Sequence, residues 1–205
     1  LWNAQDPKQE PTVLGTHSDS IVAVSFSAND EWCAVGSMDG LVKAYNLTAL
    51  HRQHSEVLLE GPGGEIEWLA WHPQHAVLLA GSSDTTVWMW NLAAIYSSPG
   101  QVFMGILTGH QDSVSCGMFL PNGRRVLTSS LDGSLRVWDA QSLQTVFTIG
   151  PDAHKYHDGG IVSMCIQQQP QGGILVATGG GSEGSVCLVR LDHKKIVVKL
   201  MHISE

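Results

Sequence analysis

The chain has 205 residues, 43% of them apolar, with 11 Lys and Arg against 19 Asp and Glu and a net charge of −8. That is enough apolar material for a sizeable core. It offers too few clustered cations for a nucleic-acid surface and no run long and apolar enough for a helical membrane span.

The charge is unevenly placed. Residues 1–100 hold eleven carboxylates against three cations, while residues 101–205 are balanced. A one-sided field fits steering of a basic partner and fits a solubilising surface equally well. Cys33, Cys116, Cys165 and Cys187 stand singly in apolar strand-like runs without a Cys-x-x-Cys pair. Such thiols are packing residues of a reduced protein, so the cytoplasm is the expected compartment, with the nucleus second. The sequence opens inside a repeat and without a Met, which predicts a missing N-terminal portion.

Taken in chain order, one turn-and-strand signature recurs. Leu1-Trp2-Asn3 is a truncated copy. Full copies begin at Asp39-Gly40 and close at Tyr45-Asn46, begin at Asp84-Thr85 and close at Trp90-Asn91, and begin at Asp132-Gly133 and close at Trp138-Asp139. A degenerate copy runs from Glu183-Gly184 to Val189-Arg190. The spacing from Asp39 to Asp84 is 45 residues, then 48 to Asp132 and 51 to Glu183, the length of a four-stranded propeller blade. Gly, Pro, Asn and Asp divide each period into four strand-like runs. They are predicted at 20–26, 32–37, 41–46 and 56–60, then at 65–71, 76–82, 86–91 and 102–107. The later runs are 113–119, 125–130, 134–139 and 144–149, then 160–167, 174–179, 185–190 and 195–201. Only Leu47–Gln53 offers a helical turn. The expectation is all-β: a partial blade over 1–14, then blades at about 15–60, 61–107, 108–149 and 150–205.

The third period resembles the WD-repeat β-propeller family, with Gly109-His110, Phe119-Leu120-Pro121-Asn122-Gly123, Asp132-Gly133 and Trp138-Asp139. The resemblance implies that His110, Thr128, Asp132 and Trp138 form a buried hydrogen-bonded chain with no catalytic role. A buried carboxylate is tolerable only with its acceptors satisfied. The other periods depart from this pattern. The first keeps His17 and Asp39 but has Val35 and Tyr45, and the second keeps Asp84 and Trp90 but has Pro62 and Ala80. The fourth keeps His157 and aligns with Gly179, Glu183 and Val189. Propellers of this family have seven or eight blades, so four and a stub are expected to be part of a longer ring.

Chemistry-bearing patterns are weak. The pairs His51/His54, His72/His75 and His154/His157 have ligand-like spacing but no converging third ligand, so no metal and no cofactor are expected. Gly179 to Gly184 matches G-x-G-x-x-G by letter, but it joins two strands, not a strand and a helix. Ser113 and Ser115 near His110 lack a nucleophile elbow. An enzyme is not expected.

The second period is distinctive. Trp68, Trp71, Trp88 and Trp90 fall within 23 residues, and the plainest role for alternating Trp is to fill gaps between blades. The run Glu65-Ile66-Glu67-Trp68-Leu69-Ala70-Trp71-His72-Pro73, with Val77-Leu78-Leu79-Ala80-Gly81 and Trp88-Met89-Trp90, resembles the angio-associated migratory cell protein family. That family includes a fungal chaperone for a newly made large-subunit ribosomal protein. The resemblance implies a non-enzymatic propeller that clamps a basic protein or peptide on one face, without direct nucleic-acid or membrane contact. Candidate contact residues on that face are Asp19, Met38, Glu65, Glu67, Ser83 and Asp112. The alternative is a generic WD-repeat adaptor in a signalling, ubiquitin-ligase or RNA-processing complex.

Overall fold

A computed structural model of the chain describes residues 8, 10–49, 55–98, 101–150, 156–182 and 184–200. Blade 1 comprises β1 (Ile21–Phe26), β2 (Trp32–Ser37), β3 (Val42–Asn46) and β4 (Glu56–Leu59). Blade 2 comprises β5 (Ile66–Trp71), β6 (Val77–Ser82), β7 (Val87–Asn91) and β8 (Phe103–Leu107). Blade 3 has β9 (Cys116–Phe119), β10 (Arg125–Ser129), β11 (Leu135–Asp139) and β12 (Thr145–Ile149). Blade 4 has β13 (Ile161–Gln168), β14 (Ile174–Gly180), β15 (Ser185–Arg190) and β16 (Lys195–Leu200). Every sheet is an antiparallel meander in chain order. Among the described residues the protein is therefore an all-β array of four propeller blades. Most of the predicted leading partial blade lies outside the described residues, and residues 10–14 carry no regular structure.

Local chemistry explains the punctuation. The Asn or Asp ending the third strand of blades 1, 2 and 3 caps the turn that follows. Asn46 Oδ1 accepts the Thr48 N–H at 3.0 Å, Asn91 Oδ1 that of Ala93 at 3.1 Å, and Asp139 Oδ1 that of Ser142 at 2.9 Å. Short polar side chains favour this role. The first two caps open single 3₁₀ turns at Leu47–Ala49 and Leu92–Ala94, the second of which the sequence reading missed. The rest of the predicted Leu47–Gln53 turn lies outside the described residues. Strand β9 begins at Cys116, not at 113 as predicted, because Val114 N–H bonds to Ser82 O of blade 2 at 3.1 Å rather than to its own sheet.

The core is divided into layers between blades, as period-two alternation requires. Leu78, Ala80 and Trp90 of blade 2 pack on Trp32, Ala34, Val42 and Leu59 of blade 1. The alternate residues Leu79, Val87 and Met89 pack on Val114, Val126 and Trp138 of blade 3. Leu127, Leu135 and Val137 then meet Ile161, Val176 and Val189 of blade 4. Trp68 and Trp71 lock these layers from opposite faces of β5. The Trp71 indole donates to Ser25 O of blade 1 at 3.0 Å, and the Trp68 indole to Val114 O of blade 3 at 2.8 Å. Trp68 fits only because Gly81 and Gly117 flank it. A methyl group at either position would overlap the Trp68 indole.

Candidate functional site

Blade 3 contains one continuous buried hydrogen-bond chain. Its proton arrangement follows from the partners: Trp138 Nε1–H donates to Thr128 Oγ1 at 2.8 Å, and the Thr128 hydroxyl donates to His110 Nε2 at 2.8 Å. The His110 Nδ1–H then donates to Asp132 Oδ2 at 3.0 Å. Asp132 also accepts the N–H groups of Gln111 and Ser134 at 2.9 and 2.7 Å. Burial alone would raise its pKa, but the bonds from His110, Ser134 and Gln111 prevail and hold the carboxyl well below the ordinary range. Both oxygens of this carboxylate are engaged by the fold.

The other blades solve the same problem with different residues. In blade 2, Pro62 and Ala80 remove the His and the hydroxyl. Asp84 Oδ2 accepts Gly63 N–H at 2.8 Å, Asp84 Oδ1 accepts the Thr86 hydroxyl at 2.6 Å, and the Trp90 indole turns to Glu60 O at 3.0 Å. In blade 4, Thr178 and not Gly179 holds the hydroxyl position. His157 Nε2 lies 2.9 Å from Thr178 Oγ1, and its Nδ1 lies 2.9 Å from Ser185 Oγ. The β14–β15 turn is one residue longer than the β10–β11 turn, since Gly179 pairs with Val186 where Ser129 pairs with Leu135. Counting back from position 183 therefore lands one residue late. Burial holds His157 below its ordinary range. Glu183 lies outside the described residues.

Blade 1 leaves one atom unsatisfied. His17 Nδ1 bonds Asp39 at 3.1 Å, but Val35 stands where blade 3 has Thr128, and the buried His17 Nε2 has no partner. Val35→Thr is expected to supply the missing hydroxyl and raise stability by about 0.5–1.5 kcal/mol, measured by urea denaturation. Unchanged or reduced stability would refute this account of the orphan nitrogen.

The six candidate contact residues lie where the loop leading into each blade meets the turn between its second and third strands. Backbone bonds tie the two together: Met38 N–H to Ser20 O at 2.9 Å, Ser83 N–H to Glu65 O at 3.0 Å, and Leu131 N–H to Ser113 O at 2.9 Å. Asp19, Glu65, Glu67 and Asp112 are exposed, as is Met38, while Ser83 is half-buried. Asp19 and Asp112 each accept the next N–H, from Ser20 at 2.6 Å and from Ser113 at 2.7 Å. Glu67 is aimed by a β-bulge. Ile66 pairs with Ser82 and Trp68 with Gly81, so Glu67 is the extra residue, and such residues are turned out of the ladder. Its Oε1 accepts the Ser113 hydroxyl at 3.1 Å across the blade boundary. Glu67 and Asp112 thus converge on one serine, whereas Asp19 and Met38 form a separate corner on blade 1.

Sequence reasoning missed two residues of this face. Leu131, 41% exposed, precedes Asp132 as Met38 precedes Asp39, so position within the repeat would have found it. Asp158 is exposed and accepts the Ser182 hydroxyl at 2.9 Å. Cations approach from the outer side: Lys43 donates to Thr16 O at 2.7 Å and Lys199 to Tyr156 O at 3.0 Å.

The remaining motifs have structural partners. His72 Nδ1 accepts the N–H groups of Gln74 and His75 at 3.0 and 3.1 Å, closing the turn after β5. Burial, with His75 beside it, keeps His72 below its ordinary range. His51, His54 and His154 lie outside the described residues. Among the described residues no three His, Cys, Asp or Glu side chains converge as a metal site. Ser115 bonds to Ser129 O and Ile161 O, and the Gly179–Gly184 run turns between β14 and β15.

Comparison with known proteins agrees with this architecture. The chain is 29% identical over 180 residues to human (Homo sapiens) angio-associated migratory cell protein, a match that covers 87% of this chain and 37% of that protein. It is 29% identical over 135 residues to mouse (Mus musculus) transducin beta-like protein 3, covering 65% of this chain and 16% of that one. The chain thus spans well under half the length of these curated relatives. A chain in the crystal structure of the mitotic checkpoint complex superposes with a TM-score of 0.73 at 20% identity, over 91% of this chain and 52% of that one. The RRP9 WD40 repeats superpose with a TM-score of 0.72 at 18% identity, over 93% and 53%. The family model described as WD domain, G-beta repeat matches residues 8–46, 53–91 and 101–139. With its four-stranded blades and the His110 to Trp138 chain, the protein belongs to the WD-repeat family.

Proposed function

We propose that this chain is a non-enzymatic interaction scaffold whose loop-bearing face holds a Lys/Arg-rich segment of a client, in its specific form a newly made large-subunit ribosomal protein awaiting assembly. The convergence of Glu67 and Asp112 on Ser113 at the boundary of blades 2 and 3 carries this reading. Two carboxylates fixed in orientation at a partly covered surface attract a cation without first having to be ordered. Met38 and Leu131 add exposed apolar contacts on the same face. The buried His-Asp pairs are committed to holding turns, which leaves them no substrate to meet.

The test is binding of a Lys/Arg-rich segment of a large-subunit ribosomal protein at two ionic strengths, with a scrambled peptide of equal composition beside it. Glu65→Lys/Glu67→Lys is expected to weaken binding at least about tenfold, and raising the salt to weaken the parent's binding through screening. A dedicated client would outbind its scrambled form. Affinity unmoved by both reversal and salt would reduce these carboxylates to ordinary surface charge.

A further inference from the structure

A second apolar feature lies on the circumference, far round each sheet from the loop-bearing face. Blades diverge outward, and between the fourth strand of blade 1 and the third and fourth strands of blade 2 the divergence leaves a cleft of about 700 Å³. Its walls include Leu58, Trp88, Ile95, Phe103 and Ile106, and Glu60 is the one charged group lining it among the described residues.

The aromatic wall is fixed before any ligand arrives. The Trp88 indole N–H donates to Thr86 Oγ1 at 3.0 Å, and that hydroxyl donates to Asp84 Oδ1 at 2.6 Å. Trp88 stacks on the buried Trp90 with ring centres 6.1 Å apart, and Phe103 leans on it at 5.3 Å and 53°. The Trp90 indole meanwhile holds the Glu60 carbonyl. Val57, which shares the blade 1 wall with the buried Leu59, is half-buried, and Phe103 on the opposite wall is 50% exposed. Aliphatic floor, rigid ring faces and a single carboxylate form a combined demand. An aliphatic side chain satisfies the floor, while a neighbouring cation satisfies both the rings and the carboxylate. An acidic segment would meet Glu60 and find no cation in the lining among the described residues.

We infer that this cleft docks a short partner segment in which a Leu- or Ile-type residue neighbours Lys or Arg, the aliphatic group between Val57 and Phe103 and the cation beside Trp88 and Glu60. The site is separate from the proposed client face and does not rest on it.

The probe is a hexapeptide of alternating leucine and lysine, compared with leucine/glutamate and serine/lysine hexapeptides. Binding is read from the Trp88 indole N–H resonance and from calorimetry on the full chain. The leucine/lysine peptide is expected to shift that resonance, and Phe103→Ala and Glu60→Gln to weaken it about tenfold each. Glu65→Lys/Glu67→Lys should leave this binding in place, which separates the two sites. If Phe103→Ala fails to fold, Val57→Ser on the facing wall gives the same reading. Equal binding of the leucine/glutamate or serine/lysine peptide, no binding by the parent, or indifference to these substitutions would overturn the proposal. So would sedimentation showing a concentration-dependent dimer that Val57→Ser abolishes, since the occupant would then be a second copy of the chain.

Discussion

Trp68→Ala is expected to lower the unfolding free energy by about 3 kcal/mol, toward the lower end of the cost of removing a large aromatic from a packed site. Trp68 joins blade 2 to blade 3 through its bond to Val114 O and through the slot between Gly81 and Gly117. Its loss opens the layer containing Leu79, Met89, Phe119 and Trp138 and strands a carbonyl. Gly117→Ala attacks the same slot from the opposite side, by overpacking, and is expected to cost about 1–3 kcal/mol. The two changes share one volume, so they must couple. In the Trp68→Ala background the extra methyl has room, and the double variant should be more stable than the sum of the single losses. Strict additivity in a denaturation cycle would show that the ring does not occupy the slot.

Asp132→Ala is expected to cost about 1–3 kcal/mol, because His110 Nδ1 and the N–H groups of Gln111 and Ser134 lose their acceptor together. The same carboxyl predicts an acid limb. Its folded-state value lies below the ordinary 3.8, so near pH 4 and below the unfolded chain binds more protons than the folded one. Its stabilisation is therefore complete above the ordinary value and is lost as pH falls through the depressed one. Asp39, pulled down to about 2 against the effect of burial by bonds from Ser18, Leu41 and His17, adds a second contribution of the same sign. Stability measured from neutral pH downward should fall below about pH 4 in the parent. The fall should be shallower in Asp132→Asn. An identical acid limb in the two would place the titrating group elsewhere.

What could be read in advance follows from where the information sits. Turn residues and alternating apolar positions are local, so Asp39, Asp84 and Asp132 fixed the repeat, and the strands of blades 1 and 2 end within a residue or two of their predicted limits. The His110 to Trp138 chain was legible through the resemblance to WD repeats, because blade 3 keeps all four residues of that pattern. Blade 4 defeated counting by position because one extra residue in its β14–β15 turn shifts Thr178 into the position assigned to Gly179. The site face was only half legible. Glu65 and Glu67 stood among the six candidates, but their different fates depend on the bulge at Ile66/Trp68, which points Glu67 at Ser113, 46 residues on. Bulges leave little mark in a sequence with no glycine at the extra position. The outer cleft was invisible, since it arises from the divergence of two blades rather than from either one.

The division of the core into layers between blades has a consequence for how the molecule opens. No blade owns its apolar interior: blade 2 shares one layer with blade 1 and another with blade 3, while blade 4 shares its buried layer with blade 3. The unit of cooperativity is thus the contact between neighbours, and a chain of such contacts loosens from its ends inward. Amide exchange should consequently be graded along the arc, slowest in the buried second strands β6 and β10 and fastest in β1 and β16, where Phe26 and Leu200 already meet solvent.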